Sequence, residues 1–250
     1  MSLTILVTGA TAGFGAAMTR RFIRDGHRVI GAGRRADRLD ALRAELGPAL
    51  LPFLLDVTDL AACDALPGSL PEGWQAVDVL VNNAGLALGL DPAYQAKLED
   101  WDRMLATNVA GLLHLTRALL PGMVERNRGH VVNLSSTAAS YPYPGGNVYG
   151  GSKAFVTQFT LNLKADLVGT GVRVTSIEPG LVGGTEFSQI RLGDADKAAA
   201  VYAGTTPLTA DDIAEAVAWA VGLPPHVNIN RIELMPTCQA PGPLAVKRAG

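Results

Sequence analysis

Tyr149 and Lys153 are the two side chains of this sequence best suited by type and spacing to move a proton. They are four positions apart in a segment with helical periodicity, so they lie on one helical face, a turn apart. A free tyrosine titrates at about 10, and a neighbouring ammonium group favours the phenolate form. An acid–base group works best when its pKa is near the working pH. The pair therefore indicates proton transfer by Tyr149, although the spacing alone also occurs by chance in many helices.

Ser135-Ser136-Thr137 follows an apolar segment and supplies hydroxyl groups that could bind a reacting oxygen. The residues themselves leave the choice between Ser135 and Ser136 open. Next to Tyr149, Gly150 and Gly151 each cost a helix interior about 1 kcal/mol relative to alanine. They indicate close approach of another backbone or of a ligand, but a frayed first turn would also tolerate them.

A glycine-rich turn, Gly9 to Gly15, joins the first apolar run to a helical segment. Glycines in such a turn let the backbone approach a pyrophosphate, whose charge then lies at the helix N-terminus. The Gly-x-x-x-Gly-x-Gly spacing differs from the Gly-x-Gly-x-x-Gly of many dinucleotide enzymes. Glycine turns also occur without ligands, so this motif alone is a moderate signal for a dinucleotide.

Arg34 and Arg35 end the second apolar run, where an NAD site usually has an acid for the ribose 2′-hydroxyl. Guanidinium groups instead suit a phosphate as bidentate donors. The nearby Asp37 fits the N-terminus of the next helix better than a ribose. We therefore predict NADP rather than NAD, the alternative being a solvated basic helix start.

These groups need a scaffold, and short apolar runs alternate with helical segments along the chain. Seven runs are predicted strands: Leu3–Thr8, Arg28–Ala32, Ala49–Leu55, Val77–Asn82, His130–Leu134, Val172–Ile177 and Arg231–Met235. Five segments are predicted helices: Gly15–Asp25, Asp37–Leu46, Trp101–Arg126, Val148–Val168 and Asp211–Val221. Uniformly apolar strands are typical of a parallel sheet covered on both faces. The alternation predicts a single α/β domain over residues 1–250, a doubly wound parallel sheet with helices on both faces.

The segment 180–204 interrupts the alternation and is predicted to be a lid over the site at the strand ends. Glu178 and Glu186 flank it, and either could meet a substrate amine, although a solvated loop is the default. The tail 236–250 is rich in proline, glycine and alanine, and its order is left open.

Composition excludes several other classes of function. A net charge of −2 argues against nucleic-acid binding, which needs a concentrated basic face. No apolar stretch is long enough to predict a membrane span. Two cysteines, Cys63 and Cys238, are too few for a disulfide framework and favour a reduced, cytoplasmic setting. The four histidines share no metal-ligand spacing, and no metal site is predicted.

Several motifs occur in the order found in the short-chain dehydrogenase/reductase family, which the chain resembles over essentially its whole length. They are Thr8–Gly15, Asn82-Asn83-Ala84-Gly85, Asn108, Ser136, Tyr149, Lys153 and Pro179-Gly180. The resemblance implies a single Rossmann domain that interconverts an alcohol and a carbonyl.

The resemblance also implies roles. Ser136, which lies 13 residues before Tyr149 as in the family, would polarise the substrate oxygen, and Ser135 would make a local backbone bond. Tyr149 would transfer the proton, Lys153 would hold the nicotinamide ribose and tune Tyr149, and Asn108 would hold a water in a proton relay. The implied cofactor contacts are Gly9, Thr11, Gly13, Phe14, Gly15, Arg34, Arg35, Asp56, Val57, Asn83, Ala84, Gly85, Tyr149, Lys153, Pro179, Gly180, Val182 and Thr185.

Four further segments are similar to those of one subgroup, the NADP-dependent 3-hydroxy acid dehydrogenases. They span residues 83–89, 141–149, 178–187 and 226–230. The similarity implies substrates such as L-serine, L-allo-threonine and 3-hydroxypropionate, and a homotetramer. Two alternatives are a general carbonyl or 3-oxoacyl-thioester reductase and a non-catalytic NADP(H)-sensing module.

Overall fold

A computed structural model describes residues 2–242 and contains one seven-stranded parallel sheet. The strand order is β3-β2-β1-β4-β5-β6-β7. The strands are β1 Thr4–Thr8, β2 Arg28–Gly33, β3 Leu50–Leu54, β4 Val79–Asn82, β5 Gly129–Leu134, β6 Val172–Pro179 and β7 Arg231–Leu234. The order reverses between β1 and β4, and in such sheets ligands bind beyond the strand ends at that point.

Helices cover both faces of the sheet. They are α1 Gly13–Arg24, α2 Ala36–Leu46, α3 Leu60–Ser69, α4 Leu98–Leu105, α5 Gly111–Glu125, α6 Asn147–Asp166, α7 Phe187–Leu192, α8 Ala195–Tyr202 and α9 Ala210–Gly222. Two apolar clusters result, one on each side of the sheet, and the central strands β1, β4 and β5 contribute residues to both. Burial on both faces is the reason that these strands are mostly apolar, and the predicted doubly wound fold is confirmed.

The largest difference from the predicted elements lies in the segment predicted as one helix over Trp101–Arg126. The structure has two helices, α4 and α5, joined by a π-helical turn over Ala106–Ala110. Hydrophobic periodicity continues through such a turn, so the pattern does not mark the break. The turn carries Asn108, which is almost fully buried.

Helix α3 was not predicted because Pro67 and Gly68 lie in its last turn and lower its intrinsic helix propensity. Its start is stabilised by Asp59, whose side chain accepts a hydrogen bond from the backbone N–H of Ala62.

The segment predicted as a lid leaves the sheet after β6, as expected. It is not a plain loop, since it contains the short helices α7 and α8. These helices are connected through the hydroxyl groups of Ser188 and Tyr202, which are 2.6 Å apart. Of the C-terminal tail, residues 236–242 are described, and residues 243–250 lie outside the described part of the chain.

Candidate active site

The glycine-rich turn brings β1, α1 and the end of β4 into close contact. Gly9 has a φ of +67°, a region that favours glycine. A Cβ on Gly15 would lie 2.2 Å from the carbonyl oxygen of Gly9 and 2.7 Å from Nδ2 of Asn83. Asn83 in turn donates to the carbonyl oxygen of Thr8 at 2.8 Å. Glycine is therefore required at position 15 by packing, which leaves the backbone amides at the start of α1 accessible to an anion.

Basic residues at the end of β2 lie beside this turn. Arg35 donates to the hydroxyl of Thr11 at 3.2 Å and forms an ion pair with Glu186 at 3.1 Å. Arg38 binds the other carboxylate oxygen of Glu186 at 2.7 Å. The hydrogen bond from Arg38 outweighs the effect of burial, so the pKa of Glu186 is below its ordinary value. The segment around Glu186 is thus attached to Arg35 and Arg38, which together with Arg34 form the basic corner of the site.

Arg34 is the more exposed arginine and lies 3.6 Å from Asp56, at the end of β3. Burial raises the pKa of Asp56, whereas hydrogen bonds from Thr58 and the charge of Arg34 lower it. The lowering effects together are larger, so the pKa of Asp56 is below its ordinary value. A charged Asp56 therefore fixes both Arg34 and the loop that follows β3.

Tyr149 and Lys153 lie a turn apart near the start of α6, as the spacing predicted. The Lys153 ammonium lies 5.9 Å from the centre of the Tyr149 ring and donates to the carbonyl oxygen of Leu134 at 2.7 Å. Both side chains are buried. The helix thus places a phenol and an amine at the end of β5, beside the end of β4.

The electrostatics of this pair differ from the expectation. Burial raises the pKa of Tyr149 to about 12, and the groups that oppose this rise are the Ser136 hydroxyl and the Arg191 guanidinium. Burial also lowers the pKa of Lys153 to about 8. The expected lowering of the phenol pKa is therefore not found, because desolvation is the largest effect and Lys153 is not among the groups that oppose it.

The two serines after β5 have different surroundings. The Ser135 hydroxyl donates to the carbonyl oxygen of Lys153 and lies 2.8 Å from the hydroxyl of Thr157. Ser136 caps a short 3-10 turn through Ala138 N–H, 3.1 Å away, and remains partly exposed. Ser135 therefore positions α6, and the hydroxyl of Ser136 is the one available to a ligand beside Tyr149.

Asn108 bridges the π turn and the loop after β4. Its side-chain amide accepts from the Leu86 N–H and donates to the Leu86 carbonyl oxygen, both at 2.9 Å, and it also donates to Ser152 at 3.0 Å. A Cβ on Gly85 would lie 3.3 Å from the Asn108 amide oxygen and 3.4 Å from the Lys153 nitrogen. Asn108 thus fixes the loop that passes Lys153, and its role in a water relay stays a prediction.

Two cavities meet at Tyr149. The first, of about 340 Å³, runs from the basic corner along the glycine turn to Lys153. Fourteen of the predicted cofactor residues line it: Gly9, Thr11, Gly13, Phe14, Arg34, Arg35, Asp56, Val57, Asn83, Ala84, Gly85, Tyr149, Lys153 and Thr185. The second, of about 350 Å³, lies against the segment 180–204 and is lined by Ser136 and Tyr149. A ligand in each cavity would therefore meet the same phenol.

Four predicted cofactor residues lie elsewhere. Pro179, Gly180 and Val182 line the second cavity, because the chain crosses toward the lid after β6. Gly15 packs against Gly9, as described above, and acts on the cavity through the shape of the turn.

The comparisons with known proteins agree with this geometry. A model of the short chain dehydrogenase family matches residues 3–194. The chain belongs to this family. It is 59% identical over 248 residues to the NADP-dependent 3-hydroxy acid dehydrogenase YdfG of Salmonella typhi, covering 99% of this chain and 100% of the relative. It is also 55% identical to the serine 3-dehydrogenase of Agrobacterium fabrum, covering 96% of each chain.

Among solved structures, the closed form of serine dehydrogenase complexed with NADP+ superimposes with a TM-score of 0.94. The two proteins are 58% identical, and the alignment covers 95% of this dehydrogenase and 96% of that chain. The crystal structure of serine dehydrogenase from Escherichia coli is 55% identical with a TM-score of 0.85, and the match covers 95% and 100% of the two chains.

Two expectations about acidic residues of this dehydrogenase need correction. Glu178 is fully buried and ion-paired with Arg231 at 2.5 Å, so it is not available to a substrate amine. Glu186 faces the basic corner and not the second cavity. Of the two glycines beside Tyr149, Gly150 does approach another backbone, the Ala138 carbonyl, whereas Gly151 has open space around it.

Sequence reasoning missed two arginines of the site, Arg38 and Arg191. Arg38 lies in the first turn of α2, where the sequence gives it no feature that differs from those of other solvated helix residues. Arg191 lies in α7, a helix that the pattern did not predict, and its side chain reaches the second cavity. No sequence signal distinguishes it, since the lid has no periodicity that would orient its side chains.

In residues 2–242, no three histidine, cysteine or acidic side chains are grouped so as to hold a metal ion. None of the helices in the same range is long and apolar enough to cross a membrane.

Proposed function

We propose that this dehydrogenase oxidises the 3-hydroxyl group of short 3-hydroxy acids with NADP, and catalyses the reverse carbonyl reduction. The observation that carries the proposal is the position of Tyr149 on the wall shared by the two cavities. Support comes from the relatives named as 3-hydroxy acid and serine dehydrogenases, which match nearly the whole chain.

The first cavity fits NADP. The cradle beside Gly9, from which a side chain is excluded at Gly15, provides backbone amides for a pyrophosphate. Arg35, with Arg34 nearby, provides guanidinium donors for a 2′-phosphate. When bound, NADP would supply the acceptor for the hydride that leaves the substrate carbon. Lys153 would hold the ribose next to the nicotinamide.

The chain's own residues manage the proton. During oxidation, Tyr149 accepts the proton of the substrate hydroxyl, and the carbon loses a hydride, so the alcohol becomes a carbonyl. Ser136 donates a hydrogen bond to the reacting oxygen. In the reverse direction Tyr149, which is protonated at neutral pH because of its raised pKa, donates the proton to the carbonyl oxygen.

A substrate panel tests the proposal. Initial rates of oxidation of L-serine, L-allo-threonine and 3-hydroxypropionate are measured with NADP and NAD in parallel. Initial rates of reduction of an acetoacetyl thioester are measured with NADPH and NADH. We expect the hydroxy acids to be used with NADP preferred. A thioester preference of orders of magnitude would instead indicate the general reductase, and equal use of NAD would contradict the cofactor assignment.

The variant Tyr149→Phe separates an enzyme from a cofactor-sensing module. Loss of the proton-transfer group is expected to lower kcat/KM by roughly 10³-fold, with NADPH binding, measured by nicotinamide fluorescence, retained. Wild-type protein that binds NADPH but turns over none of the panel would support the sensing module.

We further propose a single domain over residues 1–250 with residues 180–204 as a lid, assembled as a homotetramer in the cytoplasm. Exposed apolar side chains such as Leu98, Phe155 and Trp219 are available for burial between subunits. The two cysteines, Cys63 and Cys238, are both free, as is usual in reducing compartments. Light scattering coupled to gel filtration measures the assembly, and a monomer would contradict it.

A further inference from the structure

We propose that Arg191 binds the carboxylate of the substrate and thereby selects hydroxy acids over neutral alcohols. This inference rests on the proposed function and deepens it. Arg191 is the one charged side chain on the described wall of the second cavity, which otherwise consists of apolar, aromatic, hydroxyl and amide groups. A cation on a largely apolar wall interacts more strongly with an anion than it would in bulk water, because the wall screens the charges less.

The position of Arg191 places that anion next to the reacting group. The guanidinium carbon lies 5.2 Å from the centre of the Tyr149 ring and 5.3 Å from that of Tyr143. In a 3-hydroxy acid, the carboxylate carbon is two bonds from the carbon that is oxidised. The hydroxyl and the carboxylate of the substrate must therefore be bound within one small cavity. Tyr149 is placed to meet the hydroxyl, and Arg191 is placed to meet the carboxylate.

The guanidinium group is held in place but keeps free donors. Its Nε donates to the carbonyl oxygen of Gly89 at 3.2 Å, and Nη2 donates to that of Gly145 at 3.4 Å. Within residues 2–242, Nη1 has no hydrogen-bond partner and no carboxylate forms an ion pair with Arg191. Guanidinium has five N–H donors, so two backbone contacts leave enough for a carboxylate.

The same wall offers no counterpart for an amino group. Its described residues include no Asp or Glu, so an ammonium group at C2 would meet only neutral oxygens, such as those of Tyr202 and Gln239. The carboxylate is therefore the recognised charge of the substrate. We expect 3-hydroxypropionate, which lacks the amino group of L-serine, to be accepted.

The test compares an acid with its neutral isostere, 3-hydroxypropionate with 3-hydroxypropionamide, in wild-type protein and in Arg191→Gln. In the wild type, kcat/KM for the acid should exceed that for the amide by roughly 100-fold, because charge-assisted hydrogen bonds are lost with the amide. In Arg191→Gln this ratio should fall close to one, through loss of activity on the acid, with Arg191→Lys intermediate. Arg24→Gln makes the same chemical change at an exposed position of α1 and should keep the wild-type ratio of acid to amide turnover.

The possible outcomes are distinguishable. Equal loss of acid and amide turnover in Arg191→Gln would mean that Arg191 acts through its backbone contacts or through the pKa of Tyr149 and does not bind the carboxylate. That result would overturn the inference while leaving the proposed function intact. A wild type that oxidises none of the 3-hydroxy acids would overturn the proposed function itself.

Inhibition of the wild type gives a second measurement, which does not depend on folding of any variant. Propionate should compete with the hydroxy acid at least tenfold more strongly than propionamide. Equal inhibition by the two would contradict an anion site in the cavity.

Discussion

At the residue scale, opposing effects on the pKa of Tyr149 determine whether its side chain is better suited to donate or to accept a proton. Burial raises its pKa to about 12, whereas Ser136 and Arg191 favour the phenolate. Burial lowers the pKa of the neighbouring Lys153 to about 8, so its positive charge is partly lost above that pH. A neutral phenol is a proton donor, and only the phenolate can accept the proton of an alcohol.

The rate of alcohol oxidation should therefore depend on pH. Because the pKa of Tyr149 is raised to about 12, its basic form becomes more populated at every step from pH 6 to 9, and kcat/KM for oxidation should increase. Carbonyl reduction, which needs the protonated phenol, should not increase over this range. Initial rates in buffers of constant ionic strength measure both profiles.

A control variant shows whether Tyr149 causes the increase of the oxidation rate with pH. Tyr94→Phe changes an exposed tyrosine that lines neither cavity and should keep the wild-type profile. An oxidation profile that is flat, or that falls with pH, would contradict the assignment of Tyr149 as the proton acceptor.

At the element scale, the junctions of strands and helices determine what the site can bind. The shape of the glycine turn depends on contacts between β1, α1 and β4. The positions of Arg35 and Arg38 in the basic corner depend on their ion pairs with Glu186, from the segment after β6.

Two glycine substitutions should have opposite effects. In Gly15→Ala the added Cβ would lie 2.2 Å from the Gly9 carbonyl oxygen, so we expect a loss of about 2 kcal/mol in unfolding free energy and weaker NADPH binding. In Gly151→Ala the Cβ meets open space within α6, and alanine should stabilise the helix by up to about 1 kcal/mol. Urea unfolding at fixed protein concentration measures both changes. Equal effects of the two substitutions would contradict the close packing at Gly15.

Arg35 should determine the preference for NADP. Its side chain lies on the first cavity, oriented by Thr11 and Glu186. In Arg35→Gln, kcat/KM with NADP divided by that with NAD should fall by roughly tenfold or more, because charge-assisted bonds to the 2′-phosphate are lost. Arg20→Gln, which removes an exposed arginine paired with Glu45, is the matched control. An unchanged ratio in Arg35→Gln would place the phosphate elsewhere.

The elements also show which features can be predicted from sequence. The apolar runs predicted all seven strands, most clearly β1, β4 and β5, because burial on both faces favours apolar residues along the whole strand. The π turn around Asn108 and the helices of the lid were not predicted. Their conformations depend on contacts with distant residues, as in the bonds between Asn108 and Leu86.

At the scale of the whole molecule, a buried polar network connects the edge of the sheet with α6, which carries Tyr149 and Lys153. Glu178 in β6 accepts hydrogen bonds from Ser176 at 2.8 Å and from Thr157 in α6 at 3.1 Å. Arg231 in β7 forms the ion pair with the same carboxylate at 2.5 Å. Thr157 also contacts Ser135, beside the site. The position of the outer strand β7 is therefore coupled to the position of α6.

Breaking this pair should destabilise the whole fold. Arg231→Met leaves the fully buried carboxylate of Glu178 without its counter-charge, and we expect a loss of about 3 kcal/mol in unfolding free energy. Arg20→Met breaks an ion pair whose two side chains are about half exposed and should cost less than about 1 kcal/mol. Urea unfolding at fixed protein concentration compares the two. Similar small losses would show that the buried pair contributes no more than a surface one.

The sequence by itself determined the features that depend on local pattern. These are the alternation of strands and helices, the glycine turn, the Tyr149–Lys153 spacing and the arginines at the end of β2. Periodicity, turn conformation and residue type act over a few neighbouring positions, so they can be inferred without the fold.

Only the tertiary structure decided the features that depend on distance through space. It engaged the Ser135 hydroxyl with Lys153 and Thr157 and left that of Ser136 partly exposed, raised the pKa of Tyr149 by burial, and brought Arg191 of α7 to 5.2 Å from the centre of the phenol ring. Desolvation and charge–charge interactions depend on which atoms surround a group, whatever their separation in the chain. For that reason the pattern of the sequence indicated a proton-transfer residue, whereas the position of Arg191 beside it could be found only in the folded chain.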